Sequence, residues 1–221
     1  MKRLLKRTAS FFWRPVVARY LRKERRFRFE NFELTVPPGV FHPGFFFSTK
    51  ELVRYLRPLD LRGKKFLETG CGSGLVSIAA AAQKAEVTAV DISISAVECT
   101  KKNFERNRQK AIIFHSDLFA SVPPGTFDII AVNPPYYKKK ALREEDHAWN
   151  CGEHMEYFLR FFSEAKRFAS AETQLVMVLS DESDNDAICS IAAKEGWRPS
   201  SVQRKGNLFG ETLVFVFTKQ G

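Results

Sequence analysis

The stretch KKFLETGCGSGLVSIAAAAQ, residues 64–83, decides the fold. Its first six residues contain an apolar pair typical of a short buried strand, and its last ten are rich in alanine, which favours a helix. Between them, Gly70, Gly72 and Gly74 allow the backbone to turn sharply and a ligand to approach it closely. The dinucleotide fingerprint GxGxxG would require a glycine at Leu75, so a nicotinamide-dependent enzyme is disfavoured.

More strand and helix segments alternate after this unit. The further strand segments are AEVTAV, AIIFHS, FDIIAV and TQLVMVLS, and the chain finishes with SSVQRK and ETLVFVFT around the turn GNLFG. Alternating strands and helices predict a parallel sheet with helices on both faces. We therefore predict an α/β fold with a doubly wound, mostly parallel seven-stranded sheet and a C-terminal antiparallel hairpin.

The N-terminal part of the chain has a different character. Residues 4–23 are expected to form a helix, and FRFENFELTV predicts a β-hairpin that turns at Glu30–Asn31. We divide the chain into a basic N-terminal helix and hairpin appendage, residues 1–37, and a main domain, residues 38–221.

The positive charge of the chain is concentrated in this appendage. Of the net +10, residues 1–30 contribute +9, from 11 Lys and Arg against two acids. The remaining 191 residues hold 24 basic and 23 acidic groups. Such a segment favours contact with polyanions, namely RNA, DNA, the ribosome or an anionic membrane surface. An amphipathic helix docked on its own domain remains an equal alternative.

The composition excludes several other classes of protein. The four cysteines lack CxxC spacing and the four histidines lack an HExxH pattern, so we expect neither a disulfide framework nor a metal site. No apolar run approaches the roughly 20 residues that a membrane span needs. The opening MKRLLKRTASFFW is too charged for a signal peptide, so we expect an uncleaved cytoplasmic protein.

Polar residues follow the predicted parallel strands where a ligand would bind. In such sheets ligands lie beyond the carboxyl ends of the strands, at the point where the strand order reverses. Asp91 ends the second of these strands, and its carboxylate can accept both hydroxyls of a ribose. Ile92 could pack on an adenine ring, and Asp117, after the third strand, could accept from an adenine amino group. The simpler interpretations are that Asp91 is an acid at a helix N-terminus and that Asp117 is a turn or cap residue.

The segment VNPPYY, Val132–Tyr137, poses a further question. Proline cannot donate to a sheet ladder, so the strand FDIIAV must stop at Asn133. A buried strand that ends in a side-chain amide, a rigid turn and two tyrosines suggests that these groups face a ligand.

Taken in order, ETGCGSG, the acid of AVDIS, HSD and NPPY resemble a class I S-adenosylmethionine-dependent methyltransferase. The upstream FELTVPPGVFHPG and STKEL are similar to the HemK-like and small methyltransferase branch, and the resemblance covers roughly residues 38–218. It implies a Rossmann-like fold and S-adenosylmethionine as the cofactor. It also implies that Gly70, Gly72 and Gly74 contact the cofactor. Glu68, where related enzymes often have aspartate, would meet its amino group.

The resemblance further implies N-methylation of a planar NH2 group in RNA, DNA or a protein glutamine. The Asn133 side-chain oxygen and the Pro134 carbonyl would accept the two hydrogens of this group, and Tyr136 would stack on it. The expected partner is a nucleic acid, RNA rather than DNA, or a ribosome-associated protein. The alternative is a non-catalytic nucleic-acid or ribosome-binding module that keeps the fold.

The residues after NPPY depart from the pattern of the glutamine enzymes. The run Lys138–Lys140 mildly favours a substrate that carries phosphate, although an exposed loop would look the same. His147 and Trp149 could cover the site, but no mechanism follows for them from the sequence.

Overall fold

The computed structural model describes residues 19–45, 47–140, 142, 146, 148–207 and 210–220. The helix expected over residues 4–23 lies mostly outside them. Within the described part of the chain, no helix is long and apolar enough to cross a membrane.

The predicted N-terminal hairpin is confirmed. Strands β1 (Arg25–Phe29) and β2 (Phe32–Val36) pair antiparallel, and Glu30 takes the positive φ of 52° that the turn between them requires. The hairpin is docked on the main core through β2. Asn103 accepts from the Thr35 amide at 2.8 Å and donates to the Thr35 carbonyl at 3.1 Å. The domain boundary at residue 37 stays a prediction.

The predicted seven-stranded sheet is also confirmed. Its strands are β3 (Lys65–Thr69), β4 (Glu86–Asp91), β5 (Ile112–His115), β6 (Phe127–Val132), β7 (Ala169–Ser180), β8 (Trp197–Asn207) and β9 (Gly210–Lys219). Their order in the sheet is β5-β4-β3-β6-β7-β9-β8. Strands β3 to β7 run parallel, whereas β9 lies antiparallel between β7 and β8 and forms the C-terminal hairpin.

Helices cover both faces of the sheet, as a doubly wound fold requires. Five helices lie entirely within the described residues: α1 (Phe47–Leu56), α2 (Leu75–Ala82), α3 (Ile94–Arg106), α4 (Glu156–Ala165, continued by a 3-10 turn over Lys166–Phe168) and α5 (Asn185–Lys194). Apolar residues of α1, α2 and α3 belong to the core on one face, and those of α4 and α5 to the core on the other.

The main difference from expectation lies before α4. The many apolar residues between positions 152 and 170 predict one long helix there, but α4 begins only at Glu156. Gly152 and Met155 have φ values of 89° and 63°, and this left-handed backbone cannot continue a right-handed helix. At the other end, β7 begins at Ala169 instead of Thr173. Residues 152–155, which precede α4, are therefore not helical.

Candidate functional site

The register of the sheet brings the predicted site residues to one edge. Thr69 at the end of β3 pairs with Val90 on one side and with Val132 on the other. The residues that follow these three strands, the glycine loop, Asp91 and Asn133, therefore emerge side by side. Adjacent strands are about 4.8 Å apart, so the backbones of Asp91 and Asn133 lie about 10 Å apart across the loop. This edge is where the strand order reverses.

A cavity of about 580 Å³ opens at this edge, a size that suits a small-molecule ligand. Nine of the ten predicted site residues line it: Glu68, Gly70, Gly72, Asp91, Ile92, Asp117, Asn133, Pro134 and Tyr136. The tenth, Gly74, does not. It precedes α2 with a φ of 80°, and a Cβ there would lie 2.9 Å from the Thr100 Cγ2. Gly74 thus allows α2 and α3 to pack closely.

Asp91 is hydrogen-bonded to the glycine loop through its carboxylate. One oxygen accepts from the Gly72 amide at 2.8 Å and the other from the Ser93 amide at 2.9 Å. Burial raises the pKa of Asp91, whereas these two hydrogen bonds lower it. A carboxylate has about four acceptor positions, so Asp91 can still accept from a ligand hydroxyl. The N-cap of α3 is Ser93 and not Asp91, since the Ser93 hydroxyl accepts from Ala96.

Glu68 is a buried carboxyl at the cavity wall. It is 3 % exposed and accepts hydrogen bonds from the amide and the hydroxyl of Ser77. Burial raises its pKa to about 8, in spite of these bonds. A cation bound nearby would stabilise the ionised form. Glu68 therefore suits a ligand with a positively charged amino group.

Asp117 lies at the rim of the cavity. Its side chain is 47 % exposed and forms an ion pair of 3.0 Å with Arg160 of α4. The second carboxylate oxygen remains available as an acceptor for a ligand. Ile92 is half-buried between Asp91 and the start of α3.

Asn133 is held by a residue that the sequence did not indicate. Strand β6 ends at Val132, so the strand stops where the proline pair predicts. The Asn133 amide nitrogen donates to the Thr49 hydroxyl of α1 at 3.2 Å. Thr49 is 7 % exposed and also lines the cavity. This hydrogen bond orients the amide, and the side-chain oxygen of Asn133 is its only atom that can accept from a ligand.

Aromatic side chains complete the cavity. Tyr136 is half-buried, and burial raises its pKa, so the phenol stays neutral. Phe41 and Trp149 line the same cavity. The sequence gives Trp149 no defined role and carries no signal for Phe41. His147 lies outside the described residues. Among the residues that the structure describes, no three potential metal ligands lie together.

The model of the methyltransferase small domain family matches residues 31–190 of the chain. A ribosomal RNA small subunit methyltransferase C of Chromohalobacter salexigens is 34 % identical over 120 residues, which cover 52 % of this chain and 36 % of the relative. A Methanocaldococcus jannaschii protein named for N5-glutamine methyltransferase activity is 38 % identical over 109 residues, covering 48 % of this chain and 52 % of the relative. The chain thus spans about a third to a half of the length of these relatives.

A solved structure confirms the fold. The 16S rRNA N2 G1207 methyltransferase of Thermus thermophilus, described as a complex with AdoMet and guanosine, superposes with a TM-score of 0.66 at 22 % identity. The superposition covers 90 % of this chain and 50 % of that one. The family match takes in β2, the glycine loop, Asp91 and the NPPY segment. The chain therefore belongs to the methyltransferase small domain family, within the class I S-adenosylmethionine-dependent methyltransferases.

Proposed function

We propose that the chain is an S-adenosylmethionine-dependent N-methyltransferase that acts on a planar NH2 group of RNA, DNA or a protein glutamine. One observation carries the proposal. Asn133, oriented by Thr49, lies in the same cavity as Gly72 and Asp91. A cofactor bound to the glycine loop and a substrate NH2 group bound to Asn133 would therefore lie next to each other in this cavity.

The cofactor half of the cavity is built from Glu68, Gly70, Gly72, Asp91 and Asp117. S-adenosylmethionine, when bound, supplies an electrophilic methyl group. The buried Glu68 would pair with the cofactor's amino group, and Asp91 would accept from the ribose hydroxyls. Asp117 would accept from the adenine amino group. Ile92 would pack against the adenine ring.

The substrate half orients the nitrogen that is methylated. The lone pair of an amide or aromatic amine is delocalised, so this nitrogen is a poor nucleophile. The Asn133 oxygen and the Pro134 carbonyl would each accept one N–H, which orients the group and favours a localised lone pair. The proline turn and Thr49 hold these acceptors in place before the substrate arrives, so little ordering is needed during the reaction. Tyr136 would stack on the planar group.

Charge favours a polyanionic partner, and the name of one relative favours RNA over DNA. The appendage carries most of the net charge of the chain, which suits a polyanion. The Chromohalobacter salexigens relative is named for ribosomal RNA methylation. The Methanocaldococcus jannaschii relative is named for glutamine methylation, so a protein acceptor remains within the proposal.

Transfer of a tritiated methyl group tests the function. The full chain and labelled S-adenosylmethionine are incubated with total RNA, DNA and ribosomal protein from cells that lack the protein. We expect label in one polymer, and a loss of about 100-fold in Asn133→Ala with cofactor affinity retained. Asp91→Ala should instead weaken cofactor binding by about 100-fold. No transfer to any fraction, or normal transfer by both variants, would refute the proposal and favour a non-catalytic module.

A further inference from the structure

Two aromatic rings meet across the candidate site. Phe41 comes from the loop between β2 and α1, and Trp149 from the segment between β6 and α4. Their ring centroids are 5.1 Å apart, with 45° between the planes, and both rings line the cavity. Tyr136 lines it as well, so the cavity has three aromatic rings at its surface.

Trp149 is tied to the NPPY segment by its backbone. The Tyr137 amide donates to the Trp149 carbonyl at 2.9 Å, and the Cys151 amide donates to the Tyr137 carbonyl at 2.9 Å. The Gly152 amide adds a bond of 3.1 Å to the Lys139 carbonyl. These bonds, together with the buried Cys151, fix the backbone of Trp149 relative to the turn that carries Asn133.

Phe41 belongs to the cofactor half of the cavity. A Cβ built on Gly72 would lie 3.9 Å from the Phe41 Cβ, which places this residue against the glycine loop. The contact between Phe41 and Trp149 therefore links the two halves. Phe41 contacts the indole from the cofactor side, and the backbone of Trp149 is bonded to Tyr137, directly after the NPPY turn.

Charge at the rim does not discriminate between acceptors. Lys140 and Arg160 line the cavity, but so do Glu153 and Glu156. The aromatic rings discriminate better between a nucleobase and a glutamine. A flat base gains stacking energy on each of its faces, whereas the aliphatic stem of a glutamine does not.

We propose that Trp149 is a second aromatic wall of the substrate subsite and that the acceptor is therefore the amino group of a nucleobase. The inference rests on the proposed function and narrows its substrate class. The base stacks on Trp149 and Tyr136 while its exocyclic NH2 is held by Asn133. A base inside a duplex cannot reach this position, so the acceptor nucleotide is unpaired or flipped out.

Tryptophan fluorescence tests whether a base stacks on Trp149, and the measurement does not require methyl transfer. The full chain is saturated with S-adenosylhomocysteine and titrated separately with AMP, GMP, CMP and UMP, and with N-acetylglutamine amide. We expect saturable quenching by at least one of the three nucleotides that carry an amino group, and none by the glutamine amide. Trp149→Phe should lose this quenching, whereas Trp197→Phe, at a residue that does not line the cavity, should retain it. Quenching by the glutamine amide, by none of the nucleotides, or with equal strength in Trp149→Phe would overturn the inference.

Kinetics on RNA separate stacking from folding. Trp149→Ala should raise the KM for the RNA acceptor by about 5- to 150-fold, the range expected when one stacked base loses its aromatic partner. Its affinity for S-adenosylhomocysteine should not change, and Trp149→Phe should restore most of the KM. If the wild type methylates only protein and Trp149→Ala does so equally well, the nucleobase assignment is wrong while the methyltransferase function stands. If the wild type methylates nothing, the proposed function itself fails.

Discussion

Cofactor binding should release a proton from Glu68. Burial raises the pKa of this carboxyl to about 8, so at pH 6 about 99 % of unliganded molecules carry the proton. An ammonium group about 3.5 Å away would favour the carboxylate by about 5 kcal/mol at an effective dielectric constant of about 20. That energy equals between about 3 and 4 pKa units, so the pKa would fall to about 4.5 and the proton would leave at pH 6.

Titration calorimetry measures this release directly. The full chain is titrated with S-adenosylmethionine in buffers of low and high ionisation enthalpy, and the slope of the observed enthalpy against the buffer enthalpy counts the protons. We expect a net release of about one proton per bound cofactor at pH 6 and of about 0.8 at pH 7. The value at pH 7 is smaller because about 0.1 of the free cofactor amino groups are uncharged there and take up a proton on binding.

Glu68→Gln provides the matched control. A glutamine keeps an oxygen that can accept from Ser77 but has no proton to release, so its slope at pH 6 should be near zero. Asp91→Asn should bind the cofactor more weakly and still release the proton. A flat slope for the wild type at pH 6, or the same slope in Glu68→Gln, would show that Glu68 does not pair with the cofactor's amino group.

Three further predictions concern stability and orientation. The pKa of Glu68 in the folded protein, about 8, lies above its ordinary value of 4.5, so its contribution to stability is complete below about pH 4.5 and lost as the pH rises through about 8. The Tm of Glu68→Gln relative to the wild type should therefore rise between about pH 5 and about pH 8.5, and a constant difference would contradict the burial argument. The free energy of unfolding of Gly74→Ala in urea should be about 2–4 kcal/mol lower than that of the wild type, because strain at positive φ adds to a clash with a threonine of α3. Gly63→Ala, which has a φ of 68° and open space around its Cβ, should lose only about 1–2 kcal/mol, and equal losses would rule out the clash. Thr49→Val removes the acceptor that orients Asn133, so it should lower kcat about fivefold at unchanged cofactor affinity. Thr49→Ser keeps a hydroxyl and should restore kcat. An unaltered kcat in Thr49→Val would show that Thr49 does not orient Asn133 for the reaction.

The sequence by itself determined the parts of this protein that depend on neighbours along the chain. Apolar runs, glycines and prolines identified the strands, the turn at residues 70–74 and the end of β6 at Val132. The predicted ligand-binding residues follow directly after strands, so their common edge could be inferred once the strands were taken as parallel. These signals are local, since they arise from backbone geometry and from the spacing of side chains.

The tertiary structure decided which distant residues meet. Thr49 and Asn133 are 84 positions apart, and Asp117 and Arg160 are 43 apart, and neither pair carries a signal in its surrounding sequence. The meeting of Phe41 with Trp149 likewise joins two loops that are far apart along the chain. Such contacts result from strand order and from the packing of helices on the sheet. Because packing selects a pair by shape and distance in space, residues that are far apart along the chain cannot be matched from local pattern alone.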